Sequence, residues 1–223
     1  GHYRGELRAW ADATGASSDL LTFLNCQYEL SQLDERANVM KDSLPGWLRN
    51  VCRLGCTAGA FRLGDGRLLH VRNMDWPLEA MGRLSRIFRF KKGDREFVTI
   101  GVPGMVGVLS GMLPGAYSVT INYAPPGRKP AFKFGPLFLL RNVFETFDTY
   151  EDACYALSHT RLSSSVHFTV CSAHGKACVI ERTQNDFSRR NLRGESLTVA
   201  NHYCSQRFSH HNDLWDPEVL VDS

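Results

Sequence analysis

The chain has 223 residues, a net charge of +3, 43% hydrophobic residues and 22% charged residues. This length can bury one sizeable core, and the composition is ordinary for a globular protein. The small net charge and the lack of a dense Lys/Arg block argue against a nucleic-acid partner, and no apolar run reaches the roughly 18 residues that a membrane-spanning helix needs.

The first part of the chain has helical patterning. Within residues 5 to 54, Leu7 and Trp10 have helix spacing, and Ser17 or Ser18 can cap a second helix with an apolar stripe. The sequence therefore predicts a helical segment ahead of the first strands.

A β-hairpin follows this segment. Two apolar-rich runs, Thr57 to Leu63 and Leu68 to Met74, are separated by Gly64-Asp65-Gly66. A Gly/Asp turn between such runs is typical of two antiparallel strands. The second strand would then fold back along the first, so that its end lies near the start of the first.

Three reactive side chains would converge at that end of the hairpin. Cys56 precedes the first strand, and Arg72 and Asp75 lie at the end of the second. A thiol becomes a strong nucleophile when a positive neighbour such as Arg72 favours the thiolate. Asp75 could orient an attacking amine or the guanidinium by accepting hydrogen bonds.

The rest of the chain alternates between strand and helix signals. Pro136 marks a helix start, and Thr149 can cap a second helix. Short β-branched or aromatic runs divided by turn residues predict further strands. These runs are Phe97 to Ile100, Val106 to Leu109, Tyr117 to Asn122, His167 to Cys171, Ala177 to Arg182 and Thr198 to Asn201.

The hairpin motif resembles a known superfamily. The motif consists of Cys56-Thr57, the hairpin, and Arg-Asn-Met-Asp-Trp from Arg72 to Trp76. It is similar to the motif of the cysteine N-terminal-nucleophile (Ntn) hydrolases. These include choloylglycine hydrolase, penicillin V acylase, acid ceramidase, N-acylethanolamine acid amidase and the penicillin acyltransferases. The resemblance implies an α+β fold, a four-layer αββα sandwich.

The resemblance also implies autoprocessing between Gly55 and Cys56. The freed cysteine would act as nucleophile through its sulfur and as base through its own α-amine, whose reference pKa of about 7.7 to 8.0 suits that role. Residues 1–55 would form a helical propeptide or α-subunit segment and residues 56–223 the catalytic segment, together making one domain.

Two further segments resemble the oxyanion hole of the superfamily. Thr198 to Tyr203 is similar to the segment whose asparagine amide binds the oxyanion, which implies this role for Asn201; an ordinary turn asparagine is the alternative. Ser118 to Tyr123 is similar to the strand whose end lines the same hole, which makes Asn122 and Tyr123 candidates.

One family element is not found. Members usually carry another arginine after the asparagine segment, and the chain reaches Ser223 without that motif. We expect either that further chain carries it or that this protein lacks it. Arg207 is a candidate substitute, although a surface role is favoured for it.

The chain has seven cysteines, an odd number. In a secreted protein this count suggests three disulfides and a free Cys56. In a cytosolic protein the cysteines would instead be reduced and mostly buried. The start does not resemble a signal peptide and no Asn-x-Ser/Thr sequon occurs, which favours the cytoplasm. No Cys-x-x-Cys pair occurs, and we expect neither a metal nor a cofactor.

Together these features predict an autoprocessing amidohydrolase. It would cleave the linear C–N bond of a small-molecule N-acyl amide through a thioester on Cys56. Two alternatives stay open: an acyltransferase that passes the acyl group to an amine, and a latent, non-catalytic domain in which the bond between Gly55 and Cys56 stays intact. The sequence leaves homo-oligomerisation open.

Overall fold

The computed structural model describes residues 3–34, 55–75 and 79–214. Its α-helices are α1 Tyr3–Thr14, α2 Ser18–Asn25, α3 Gln27–Asp34, α4 Glu79–Leu84, α5 Pro136–Thr146 and α6 Tyr150–His159, with a 3₁₀ helix at Ser209–Leu214. The strands are β1 Gly55–Arg62, β2 Leu68–Asp75, β3 Arg86–Lys92, β4 Arg95–Gly101, β5 Ser110–Leu113, β6 Tyr117–Asn122, β7 Val166–Ser172, β8 Ala177–Arg182, β9 Phe187–Asn191 and β10 Ser196–Val199. No helix in this described part is long and apolar enough to cross a membrane.

The small sheet has three strands in the order β10-β1-β2. Both pairings are antiparallel, with Gly55 opposite Asp75 in one and Ala58 opposite Val199 in the other. The predicted hairpin is confirmed: Gly66 has φ +82°, a left-handed conformation that glycine adopts at little cost and that closes the turn. The pairing brings the end of β2 and the end of β10 to the start of β1.

The large sheet has seven antiparallel strands in chain order from β3 to β9. Helix α5 packs against β4 and helix α6 against β7 and β8, while β1 lies against β6 and β7 on the other side. The predicted α+β class is therefore confirmed, and two packed sheets with helices on the larger one are consistent with the αββα sandwich. Fully buried residues of its core include Val119, Leu140, Phe144, Leu157 and Phe168.

The N-terminal helices are joined to the rest of the protein by buried hydrogen bonds. Asn25 Nδ2 donates to the Gly104 carbonyl at 2.8 Å, and its Oδ1 accepts from the Val106 N–H at 2.8 Å. Gln32 Nε2 donates to the Ser165 carbonyl at 2.7 Å, and its Oε1 accepts from the Ser165 N–H at 2.9 Å. Since buried amides without partners are costly, these bonds fix where the helical segment docks.

Some predicted elements were wrong or missing. Val106 to Leu109 is not a strand, although Val106 and Val108 are buried. The Val106 N–H donates to Asn25 Oδ1 and the Val108 N–H donates to the Leu137 carbonyl. These backbone groups are therefore not available for hydrogen bonds to a neighbouring strand. The strand begins instead at Ser110, and β9 and α4 were not predicted. The helical prediction for residues 35–54 lies outside the described residues.

The six cysteines among the described residues are all free thiols, and Cys52 lies outside these residues. Cys154 and Cys178 are both buried, and their sulfur atoms are 3.6 Å apart. Cys204 is exposed. No disulfide of the predicted oxidised arrangement therefore occurs in the described part of the chain.

Replacing Gln32 tests the docking of the helical segment. Gln32→Ala leaves the Ser165 N–H and two buried carbonyl groups without this partner, so we expect a loss of about 1–3 kcal/mol in the free energy of unfolding. Urea denaturation measures this loss. Arg8→Ala, at an exposed site of α1, is the control and should change stability by less than about 0.5 kcal/mol. Equal effects would contradict the docking role of Gln32.

Candidate active site

Cys56 is buried near the start of β1, with 6% of its surface exposed. Its backbone N–H donates to Asn201 Oδ1 at 2.7 Å. The two residues meet because β10, which ends just before Asn201, pairs with β1. The nitrogen that cleavage after Gly55 would convert to an α-amine is therefore already bound by the Asn201 side chain.

Arg72 lies beside the sulfur. Its Nη2 is 3.5 Å from Cys56 Sγ, and its Nη2 and Nε both donate to the Ile121 carbonyl, at 2.8 and 3.1 Å. Nη1 also reaches Ser110 Oγ at 3.3 Å. Burial lowers the pKa of the Arg72 guanidinium, which nevertheless stays charged because an arginine starts so high. A fixed cation thus faces the thiol, as the sequence predicted.

The side-chain amide of Asn201 is held at both of its polar atoms. Its Nδ2 donates to the Tyr123 carbonyl at 3.0 Å, while Oδ1 accepts from the Cys56 N–H. An N–H and a carbonyl as partners leave one consistent orientation of the amide. Because Nδ2 carries two hydrogens, its second N–H can serve an oxyanion while the first stays on Tyr123.

Asn122 and Tyr123 take different positions in the site. Tyr123 contributes the carbonyl that holds Asn201. Asn122 is fully buried, and its Nδ2 donates to the carbonyls of Val199 and Ala200, both at 3.2 Å. The Asn122 side chain therefore holds the backbone next to Asn201. An oxyanion role for either residue stays a prediction.

Asp75 lies at the open edge of the group. It is exposed, pairs across the hairpin with Gly55, and accepts from Asn73 Nδ2 at 2.7 Å. A β-carbon at Gly55 would come within 3.1 Å of Asp75 Cβ, so the glycine leaves room for this carboxylate. The structure thus brings Asp75 next to Gly55, and Asn73 orients it. Trp76, the last residue of the motif, lies outside the described residues.

An apolar cavity of about 30 Å³ adjoins the sulfur. Helices α2 and α3 form one wall through Leu24 and Tyr28, and the opposite wall includes Met105, Leu109, Ile121 and Leu137. This volume holds only one or two water molecules. A groove of about 630 Å³ lies between β2 and strands β3 to β6, and both spaces reach Arg72 and Met74.

Sequence reasoning missed the residues that fix Arg72 and its surroundings. Ser110 and the Ile121 carbonyl carried no recognisable motif. His70, two residues before Arg72, places Nδ1 2.8 Å from Ser118 Oγ and Nε2 3.1 Å from Thr120 Oγ1. The only sequence signal for His70 was the two-residue alternation of side chains along a strand, which places His70 and Arg72 on the same face of β2. Burial, with help from the Arg72 charge, lowers the pKa of His70 to about 4.

Comparison with known proteins decides the family. Residues 62–218 match the family model described as acyl-coenzyme A:6-aminopenicillanic acid acyl-transferase, which is more than half of the chain. The chain belongs to this family. The match confirms the predicted Ntn-hydrolase superfamily. The matched range includes Arg72, Asp75, Asn122 and Asn201, and it begins at residue 62, after Cys56.

Individual relatives agree with this assignment. An acid ceramidase of Heterocephalus glaber is 26% identical over 83% of this chain and 48% of its own length. An N-acylethanolamine-hydrolyzing acid amidase of Caenorhabditis elegans is 26% identical over 74% of this chain and 46% of its own. This chain therefore spans about half the length of these relatives.

A solved structure has a similar fold. The Caenorhabditis elegans N-acylethanolamine-hydrolyzing acid amidase ortholog superimposes with a TM-score of 0.58 at 24% identity. The superposition covers 66% of this chain and 70% of the other. The likeness supports the sandwich fold described above.

Removing the Arg72 charge tests its effect on the thiol. In Arg72→Gln we expect alkylation of Cys56 by iodoacetamide to slow by about tenfold or more, because the reactive thiolate loses its neighbouring cation. Peptide masses must separate Cys56 from the exposed Cys204. Arg62→Gln is the control, since Arg62 lies on β1 but binds the carbonyls of Gly66 and Gly175. An unchanged rate in Arg72→Gln would refute the assignment.

His70 predicts a loss of stability in acid. The unfolded chain protonates this residue near its usual pKa of about 6.5, whereas the folded protein does so near about 4. The unfolded state binds more protons between these values, so His70 makes the free energy of unfolding fall as the pH falls through that window. His70→Gln should reduce the fall between about pH 7 and about pH 4.5 by about 2 kcal/mol. Urea unfolding at both pH values measures the free energy of unfolding. His174→Gln, at an exposed site, is the control. If the free energy of His70→Gln falls with pH as much as that of this control, the role of His70 is contradicted.

Proposed function

We propose that this protein is an autoprocessing N-terminal-cysteine amidohydrolase that cleaves the C–N bond of small N-acyl amides. One observation carries the proposal: the Cys56 nitrogen is bound by Asn201 Oδ1 while its sulfur faces the Arg72 guanidinium. An N-terminal nucleophile needs both its nitrogen and its sulfur oriented, because the nitrogen acts as the base.

The first reaction is the cleavage after Gly55. Cys56 Sγ attacks the Gly55 carbonyl carbon, and the thiol proton passes to the Cys56 nitrogen as the C–N bond breaks. The products are a Gly55 thioester and a free α-amine, which Asn201 Oδ1 holds through the N–H that it already accepts. Water then hydrolyses the thioester, releases the Gly55 carboxylate and restores the thiol.

Turnover repeats this chemistry on a substrate. The neutral α-amine takes the thiol proton, Cys56 Sγ attacks the amide carbonyl, and the second N–H of Asn201 stabilises the oxyanion. The α-amine then gives its proton to the leaving amine, so that an acyl thioester remains on Cys56 for water to hydrolyse. Arg72 places a positive charge beside the attacking sulfur, and Asp75 orients the α-amine and the substrate.

The acyl group belongs on the apolar side of the site. Half of the residues that line the cavity beside Cys56 are leucine, isoleucine or methionine, which favours a hydrocarbon chain over a polar acyl group. The volume of this cavity is too small for such a chain, so the cavity must widen to admit it. The names of the two relatives, an acid ceramidase and an N-acylethanolamine-hydrolyzing acid amidase, support an N-acyl amide substrate.

An acyltransferase is the second candidate, and it is favoured because the matched family is described as an acyl-transferase. The two activities share every step up to the thioester on Cys56. They differ only in whether water or an amine attacks it, so the same residues would serve both reactions.

The N-terminal segment acts as a subunit of the same domain. Asn25, Tyr28 and Gln32 all make buried hydrogen bonds to the segment that follows Cys56. These bonds do not depend on the peptide bond after Gly55, so residues 1–55 should stay bound after cleavage. The cytoplasmic location stays a prediction, and homo-oligomerisation stays open.

A fluorogenic N-dodecanoyl anilide tests the activity. The processed protein should release the aromatic amine and carry a transient dodecanoyl group on the fragment that begins with Cys56. Cys56→Ala should abolish both results, whereas Cys204→Ser, which alters an exposed thiol, should retain them. Release of the amine by Cys56→Ala at the wild-type rate would refute the proposal. Transfer of the acyl group to an added primary amine would identify the acyltransferase.

A further inference from the structure

The loop of residues 199–205, here called the Asn201 loop, presents Asn201 to Cys56. After Val199, the last residue of β10, it has no regular secondary structure. At its start, Asn122 Nδ2 holds the carbonyls of Val199 and Ala200. A catalytic side chain on an irregular loop keeps its position only if the surrounding backbone is fixed as well.

Glu181 fixes the other end of this loop. This residue lies on β8 and is completely buried. Its Oε1 accepts from the Cys204 N–H and its Oε2 from the Ser205 N–H, both at 3.0 Å. Hydrogen bonds from backbone N–H groups to a carboxylate are charge-assisted and stronger than neutral ones. One side chain therefore binds two consecutive residues just after Asn201.

Arg190 connects Glu181 to the strand before the loop. Its Nε donates to Glu181 Oε1 at 3.1 Å, and its Nη2 donates to the Thr198 carbonyl at 3.0 Å. Thr198 precedes the loop on β10, and Cys204 lies near its end. The ion pair of Glu181 and Arg190 thus ties both ends of the Asn201 loop to the large sheet.

The carboxylate is kept charged at this buried position. Burial alone would raise its pKa, but hydrogen bonds from Ser205 and Cys204, together with the nearby His167, hold the pKa of Glu181 below its usual value. A buried ion pair of this kind often stabilises a protein no more than apolar residues of the same volume would. Packing alone therefore does not account for a glutamate here, whereas holding the loop does.

We infer that Glu181 is a positioning residue that sets the place of Asn201 against the Cys56 nitrogen. The inference rests on the proposed function for its catalytic consequence. It predicts that loss of the carboxylate displaces Asn201 without touching Cys56, Arg72 or any substrate. Glu181→Gln is the sharpest variant, because its NH2 group would face one of the two loop N–H groups that the carboxylate accepts.

Two measurements test this role. The first is the rate of cleavage after Gly55, which should fall by about tenfold or more in Glu181→Gln because small misplacements of catalytic groups are costly. The second is hydrogen exchange at the backbone amide of residue 56 in the uncleavable Cys56→Ala background. Because Asn201 Oδ1 accepts this N–H, the exchange should quicken by about tenfold or more when Asn201 is displaced.

Glu145→Gln is the matched control. Glu145 is also a buried carboxylate paired with an arginine, at 2.6 Å from Arg141, but it lies on α5, where it also accepts a hydrogen bond from Tyr3 of α1. The control separates a general loss of stability from a loss of position. Cleavage and residue-56 exchange should stay at wild-type rates in Glu145→Gln, even where its melting temperature falls as far as that of Glu181→Gln.

The outcomes are distinct. Faster exchange at residue 56 and in residues 199–205 of Glu181→Gln alone supports the positioning role. Equal residue-56 exchange in the two variants overturns it, whatever their stability. If the wild-type protein never cleaves after Gly55, the proposed function fails, but residue-56 exchange still decides whether Glu181 positions Asn201.

Discussion

The pairing of β1 with a strand on each side is the constraint on which the site depends. β2 brings Arg72 and Asp75 back to the start of β1, and β10 delivers Asn201 to the same point from the far end of the chain. A shift of either register by one residue would turn these side chains to the opposite face. The geometry of the candidate site is therefore set by the strand pairing of the small sheet, and the large sheet packs against that sheet.

The large sheet contributes mainly buried hydrogen-bond partners. The Ile121 carbonyl fixes Arg72, the Tyr123 carbonyl fixes Asn201, and Glu181 fixes the loop that carries Asn201. In a poorly hydrated interior these bonds are strong, and leaving any one of them unmade is costly. Cys56 is thus surrounded by groups with little freedom to move, which suits the proposed reaction, whose charge develops at a fixed place.

Local patterns predicted the hairpin and helices α5 and α6, and the motif from Cys56 to Asp75 predicted which side chains meet. The same reasoning misplaced the strand at Val106, because an apolar run does not reveal that Asn25, about eighty residues earlier in the chain, binds its backbone. Glu181 and Ser110 were missed for a related reason. Their roles arise from distant loops and strands that fold against them, and no short spacing in the sequence records such contacts.

The intact mass of the purified wild-type chain under denaturing conditions tests the account most directly. The account predicts two fragments divided between Gly55 and Cys56, since the sulfur, the scissile bond and the groups that hold the leaving nitrogen are already together. A single species near 25.1 kDa that persists from acidic to neutral pH would contradict it. Cys56 would then be a buried structural thiol in a latent domain.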